Sequence, residues 1–255
     1  MPVHAGRPGR VRAGADRPAL TARNSTFPRE LLAGPTLDAA RALLGAHLVR
    51  EARVARIVEV EAYIGEDDAA SHARFGRTAR NAVMFGPPGI AYVYLVYGMH
   101  ECLNVVTEPD GRAAAVLIRA IEPVAGEEAM REARIAHALR RARTHDAREQ
   151  TRRRIEALAA GRLATGPGLV AAAFDITRAD TGADLLDPSS ALRIEPGRPV
   201  ERVVQTPRIG IDYAAEPWRS LPWRFTAAES SDRGHEGASP RSSEGRSQTT
   251  PTDTH

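Results

Sequence analysis

Apolar positions first fall into a helical rhythm at Gly34-Pro-Thr-Leu-Asp-Ala-Ala-Arg-Ala-Leu-Leu-Gly45. Thr36 is the expected N-cap, Asp38 sits in the first turn where the helix dipole favours a carboxylate, and Gly45 is the stop. The rhythm then becomes that of strands. His47 to Arg50 and Val54 to Tyr63 stand close enough to pair as a hairpin. Residues 64–88 carry Gly, Asp, Pro, Arg and Asn without a period and predict a long loop; such loops in compact domains are usually functional. Ala91 to Tyr97, Cys102 to Thr107 and Ala113 to Ile121 predict three further strands, separated by Gly98 and by the turn Pro109-Asp-Gly111, hence an antiparallel meander. A stretch dense in Ala, Arg and Glu, 124–160, predicts a long helix, and Gly166-Pro-Gly168 ends it and opens a short helix over 169–174. Ala191 to Phe225 mixes strand-like pieces with proline-rich turns. The pattern predicts an α+β fold in a single domain, 28–226.

Composition changes this picture at the ends. Residues 1–27 hold five Arg and one Asp, a charge of +4, and residues 227–255 hold three Arg and five Asp or Glu, a charge of −2. Neither segment has apolar periodicity, and both are expected to be disordered tails, one basic and one polar. The chain's net +3 therefore leaves the domain near +1, so any grip on phosphates must come from a local patch. No apolar run approaches the roughly 20 residues of a membrane helix. The first 27 residues lack the apolar segment of a secretory signal, so no membrane association and a cytoplasmic location are expected.

Two absences exclude chemistry. Cys102 is the sole cysteine, which excludes internal disulfides and cysteine-cluster zinc sites. All 35 basic residues are arginine, which excludes a lysine Schiff base, P-loop lysine or lysine general base; arginine binds phosphate but does not act as a base. His72, in the long loop, has no second ligand at metal spacing, so no metal is expected.

Glu59 and Glu61 lie two apart on a predicted strand and share a face, with Val58 and Val60 on the other. A carboxylate pair suits activation of water at a glycosidic carbon. On spacing alone, a solvated strand face is the simpler reading. The tyrosines shift the balance. Of five in the chain, Tyr92, Tyr94 and Tyr97 lie within six residues, and Tyr63 stands two places from Glu61. Tyr92 and Tyr94 share a face, and strand preference for tyrosine accounts for Tyr92 well. It accounts poorly for Tyr97, which falls at the hairpin turn and is exposed there unless it inserts into something. Aromatic walls beside a carboxylate suit stacking on a flat ring such as a nucleobase. Asn104 and Arg119 are polar residues inside apolar strands; a buried Arg119 would need an anionic partner, and Glu61 is the candidate. The arginines from Arg131 to Arg154 are expected on a solvated helix face.

Five blocks in order, Val58-Glu-Val-Glu-Ala-Tyr-Ile-Gly65, Ala91-Tyr-Val-Tyr-Leu-Val-Tyr-Gly-Met99, Leu117-Ile-Arg-Ala-Ile-Glu-Pro123, Thr165-Gly-Pro-Gly168 and Arg208-Ile-Gly-Ile211, together resemble the alkyladenine (3-methyladenine) DNA glycosylase family over 28–226. The resemblance implies a single mixed α/β domain with a curved antiparallel sheet, surrounding helices and a protruding β-hairpin. It implies a monofunctional base-excision repair enzyme without cofactor, acting as a monomer on double-stranded DNA that contains alkylated bases, and nucleoid-associated if bacterial. By that resemblance Glu61 is the general base and Arg119 helps hold the attacking water, with the Ile209 carbonyl as a further water contact. Tyr63, His72 and Tyr94 are walls for a flipped base, and Asn104 rejects the amino group of guanine. Tyr97 is the wedge that fills the emptied stack, Met99 lies beside it in the minor groove, and Arg77 contacts phosphate. The chain departs from the family pattern at Leu169, where lysine is common.

Overall fold

The computed structural model describes residues 26–228; the tails expected over 1–27 and 227–255 lie outside these except for two residues at each inner edge. Phe27 is buried in the core and Ala227 pairs with Val203, so the ordered body reaches slightly past the expected limits.

One curved antiparallel sheet organises the domain. Its strands are β1 His47–Arg50, β2 Arg53–Ile64, β3 Ala91–Val96, β4 His100–Val106, β5 Ala114–Ala125, β6 Leu192–Glu195, β7 Val203–Thr206 and β8 Arg224–Ala227. The order is β3-β4-β5-β2-β1-β6, with β8 joining β2 to β7. β2 is the hub: β5 runs along one edge, while β1 and β8 share the other. The predicted β1–β2 hairpin and β3–β4–β5 meander are both present. Among the described residues there are five α-helices, α1 Glu30–Ala33, α2 Thr36–Leu43, α3 Glu127–Leu139, α4 His145–Glu156 and α5 Pro167–Ala173; α2, α3 and α5 pack on the sheet and α4 packs on α3. Among the described residues, no helix is long and apolar enough to cross a membrane.

α2 buries Thr36, Ala39, Ala40 and Leu43, one stripe at helical spacing, against the core. Thr36 is not its cap. Pro35 holds that position, and the Thr36 hydroxyl donates instead to Glu108 Oε1 at 2.6 Å. Gly45 follows the helix at φ +87°, and a Cβ there would stand 2.2 Å from the Arg198 carbonyl oxygen, so no side chain fits.

The predicted 124–160 helix is two helices. β5 extends to Ala125 because Val54, Ala55 and Arg56 of β2 pair with its end, and sheet pairing overrides the helical preference there. A second start is made at Thr144, whose hydroxyl accepts the Ala147 N–H and caps α4. Arg131 is not on a solvated face: it is buried, and its guanidinium donates to the Ile155, Glu156 and Leu158 carbonyls at the end of α4. α5 starts at Pro167, two residues before the expected position, with proline in the first turn where its missing N–H costs nothing.

Two polar anchors fix the loops that flank β2 and β3. Asn81 is buried; its Oδ1 accepts the Thr78 N–H and its Nδ2 donates to the His72 and Gly76 carbonyls, which pins the 65–90 loop. Arg208 and Asp68 form a bidentate ion pair at 2.6 and 2.9 Å, with both side chains wholly buried. Arg208 also donates to the Ala62 and Trp218 carbonyls, and its guanidinium stacks 4.7 Å from the Tyr63 ring and 5.0 Å from the Trp223 ring. One side chain thus joins β2, the long loop and the 207–223 segment. Asp68→Ala leaves that guanidinium buried without a counter-charge and is expected to lower stability by about 3–5 kcal/mol, measured by chemical denaturation.

Candidate active site

The sheet register assembles most of the site without help from loops. Glu61 of β2 faces Leu117 of β5, Leu117 faces Asn104 of β4, and Asn104 faces Tyr92 of β3. Paired positions project from the same side of a sheet, so these four residues form one rung, and Tyr63, Ala115, Cys102 and Tyr94 flank it. Above this face is a cavity of about 700 Å³, lined among others by Tyr63, His72, Tyr92, Tyr94, Asn104 and Arg119, the size of a small-molecule site.

Glu61 is wholly buried, so the solvated-face reading of the Glu59–Glu61 pair does not hold. It sits behind the cavity wall, touching three groups that line it. Its Oε1 accepts the Ile209 N–H at 2.8 Å; its Oε2 accepts the Tyr63 hydroxyl at 3.0 Å and Arg119 Nη1 at 3.2 Å. The Ile209 backbone N–H thus holds the carboxylate directly. Arg119 Nε donates to Glu59 Oε1 at 3.1 Å, and the same oxygen accepts Arg224 Nη1 at 3.0 Å. Charges therefore alternate along Glu61, Arg119, Glu59 and Arg224. The β2–β5 ladder is irregular here: Ile57 pairs with Ile121, Glu59 with Ala120 and Val60 with Ile118, so Val58 and Arg119 fall outside it. Such bulges commonly re-aim side chains beside functional sites.

Burial raises the Glu61 carboxyl above the ordinary glutamate value, and Arg119, the Ile209 N–H and the Tyr63 hydroxyl act against that rise. Arg119 and the Ile209 N–H can only donate, so the site is built to receive a carboxylate. Burial also raises the Tyr63 and Tyr94 hydroxyls, which stay protonated, and pushes the Cys102 thiol up to about 12.

The aromatic walls contact one another. The His72 ring lies 4.4 Å from that of Tyr94, edge to face, and Tyr92 lies 5.5 Å from Tyr94. His72 Nδ1 and the Tyr92 hydroxyl are 3.0 Å apart. Burial, reinforced by Arg80 and Arg74, lowers His72 to about 4, so the imidazole is neutral near pH 7. Asn104 is buried with both Nδ2 protons directed at the Tyr92 and Cys102 carbonyls, which leaves Oδ1 as its free acceptor.

Tyr97 and Gly98 turn the β3–β4 hairpin, with φ +51° and +66°, and the Met99 N–H returns to the Val96 carbonyl. A bulky residue in the left-handed region is uncommon and strained. Tyr97 is also 85% exposed, yet it lines the cavity mouth. Met99 stands beside it, half exposed, its carbonyl accepting from Arg141. Arg77 does not reach the cavity; it is exposed, its guanidinium 5.7 Å from the Phe85 ring. Leu169, the departure from the family pattern, lines the cavity.

Glu61, Arg119, Tyr63, His72, Tyr94 and Asn104 therefore converge, Tyr97 and Met99 edge the mouth, and Arg77 lies apart. Sequence reasoning assigned no role to Tyr92, although its shared face with Tyr94 was legible. It also passed over Glu59 as the second anchor of Arg119, and over Tyr213, which lines the cavity from a segment without periodicity.

Comparison with known proteins gives the family. The family model for methylpurine-DNA glycosylase (MPG) matches residues 30–231. A protein of Methanocella arvoryzae is 52% identical over 203 residues, covering 78% of this chain and 90% of its own length. One from Myxococcus xanthus is 44% identical over 210 residues (80% and 91%), and one from Koribacter versatilis is 45% identical over 196 residues (74% and 84%). All three carry the name "Putative 3-methyladenine DNA glycosylase". A family match over residues 30–231, with relatives 44–52% identical over most of both chains, means that the chain belongs to the methylpurine-DNA glycosylase family.

Proposed function

We propose that this protein is a monofunctional DNA glycosylase of base-excision repair that flips alkylated purines, 3-methyladenine among them, out of duplex DNA and hydrolyses their N-glycosidic bond with a water activated by Glu61. The observation that carries the reading is a fully buried carboxylate, held by donors on both oxygens, beside an aromatic-walled cavity. The two oxygens offer about four acceptor sites; three are filled, which leaves one for a water. Glu61 takes a proton from that water as its oxygen bonds to C1′. The C1′–N bond breaks, and its electron pair leaves with the purine. An alkylated purine is cationic in the nucleotide and departs neutral, so no acid is needed at the base, and the proton remains on Glu61. Arg119 steadies the carboxylate and the incoming water.

The walls suit that substrate. Tyr63, His72 and Tyr94 offer faces for a flat ring, and a neutral His72 does not repel a cationic one. Asn104, which lines the cavity and is fixed by its two donated hydrogen bonds, is on this reading the obstacle to an extra exocyclic amino group. Tyr97 is strained and exposed at the mouth, as suits a wedge that replaces the extruded base in the stack; Met99 accompanies it, and Arg77 is free to meet a phosphate. The absence of lysine leaves no side-chain amine for lyase chemistry.

Glu61→Gln is expected to slow release of 3-methyladenine from methylated duplex DNA by about 10²- to 10⁴-fold; a loss under tenfold would remove Glu61 as base. In single-turnover assays, activity should fall on acidification through an apparent pKa above the usual glutamate range. The raised carboxyl is active only when ionised, so protonation on its acid side removes the base. Tyr97→Ala should weaken action on duplex about ten- to a hundredfold, with less loss on a flexible single strand; equal losses would count against the wedge. Glu59 acts as a positioning residue through Arg119. Glu59→Ala is expected to lower the saturating rate about tenfold with affinity for an abasic-site mimic retained, and Glu59→Gln should restore part of it.

A further inference from the structure

We infer that the protein holds DNA with a second aromatic element besides the Tyr97 hairpin: Phe75, carried by the 65–90 loop, stacks on a nucleotide neighbouring the one in the cavity. The inference rests on the glycosylase reading and extends it to a contact surface.

Eight large hydrophobic side chains are exposed among the described residues. Their distribution is uneven. Tyr97, Ile209 and Tyr213 line the cavity, and Met99 adjoins Tyr97. Phe75 is 82% exposed and is tied to the same rim by one side chain. The Arg74 guanidinium lies 4.6 Å from the centre of the Phe75 ring and 5.2 Å from that of Tyr213, and its Nη1 donates to the Ser71 carbonyl. The Tyr213 hydroxyl in turn donates to the Ala70 carbonyl. Phe75, Arg74 and Tyr213 thus form a short stack that begins at the cavity and ends in solvent. Scattered single apolar side chains need no explanation, but aromatics gathered on the rim of one cavity mark an interaction surface.

Charge identifies the occupant. The 65–90 loop carries Glu66, Asp67 and the buried Asp68 at its start, and from Ala69 onward its charged residues are Arg74, Arg77 and Arg80. The Arg74 guanidinium against the ring, with Arg77 and Arg80 farther along the loop, favours a polyanion at this rim. The loop is also held in place, by Asn81 on one side and by Asp68 and Ser71 on the other. An aromatic ring presented rigidly next to arginines suits single-stranded or unstacked nucleotides: the ring takes a base face and the guanidiniums take phosphates. Nucleotides next to a flipped one have lost a stacking neighbour and are the ones within reach of the rim.

The test uses the full chain with Phe75→Ala, Phe75→Leu and Phe75→Trp. Two quantities are measured: affinity for a duplex bearing an abasic-site mimic, and the saturating single-turnover rate of 3-methyladenine release. Stacking predicts about tenfold weaker binding for the alanine and leucine variants, wild-type binding for tryptophan, and an unchanged saturating rate in all three, since Phe75 does not touch the reacting atoms. Wild-type affinity in Phe75→Ala would overturn the inference. Wild-type affinity in Phe75→Leu would overturn stacking, because an apolar contact alone would then suffice. A change in self-association without a change in DNA affinity would assign the patch to a protein interface instead. If the wild-type protein neither binds the mimic nor releases base, the glycosylase reading itself fails; if it does both and Phe75 proves silent, only this inference falls.

Discussion

A carboxylate taken entirely out of water has to be met by donors, and most of this domain's architecture around Glu61 serves that requirement. Desolvation drives the carboxyl toward its neutral form; Arg119, the Ile209 N–H and the Tyr63 hydroxyl oppose it from a neighbouring strand, a distant loop and the same strand. Each donor is itself held. Arg119 is braced by Glu59, which is braced by Arg224 of β8. Ile209 follows Arg208, the residue locked to Asp68. The Tyr63 ring is stacked on that same Arg208. Buried ion pairs add little net stability, because desolvation offsets most of the attraction. What the array supplies is a fixed position and a defined charge at one carboxylate.

The same economy governs the hub strand. β2 can carry a buried Glu61 and a partly buried Glu59 because β5 covers one edge and β8 the other, and each brings an arginine. The break in the β2–β5 ladder at Val58 and Arg119 lies where a regular strand would be least able to accommodate two carboxylates and a guanidinium. Glu51, Tyr97, Glu108 and Asp175 all hold left-handed backbone, and of these Tyr97, at the hairpin tip, adds an exposed aromatic ring. The interior is thus over-determined and the mouth is left with unsatisfied aromatic surface.

Local rules accounted for a large part of this. The hairpin and the meander follow from alternation and turn residues, and the shared face of Tyr92 and Tyr94 follows from the period of two. The misses have specific causes. Thr36 looks like a cap, but a tertiary partner, Glu108, claims its hydroxyl. Residues 124 and 125 look helical, but pairing with β2 keeps them in β5. Arg131 looks solvated, but the carbonyls at the end of α4 need a donor.

By itself the sequence determined the α+β order of elements, the single domain, the exclusion of lysine and disulfide chemistry, and the carboxylate and tyrosines around which a site forms. These depend on residue identity and on neighbours a few positions away. The tertiary structure alone decided that Glu61 is buried rather than solvated, that Arg119 is shared between two carboxylates, that Tyr92 orients His72, and that Arg208 and Tyr213 belong to the surroundings of the site. Those facts are contacts between segments as much as 165 residues apart, as between Glu59 and Arg224. Local periodicity carries no information about which distant strand supplies a counter-charge; sheet register and packing supply it.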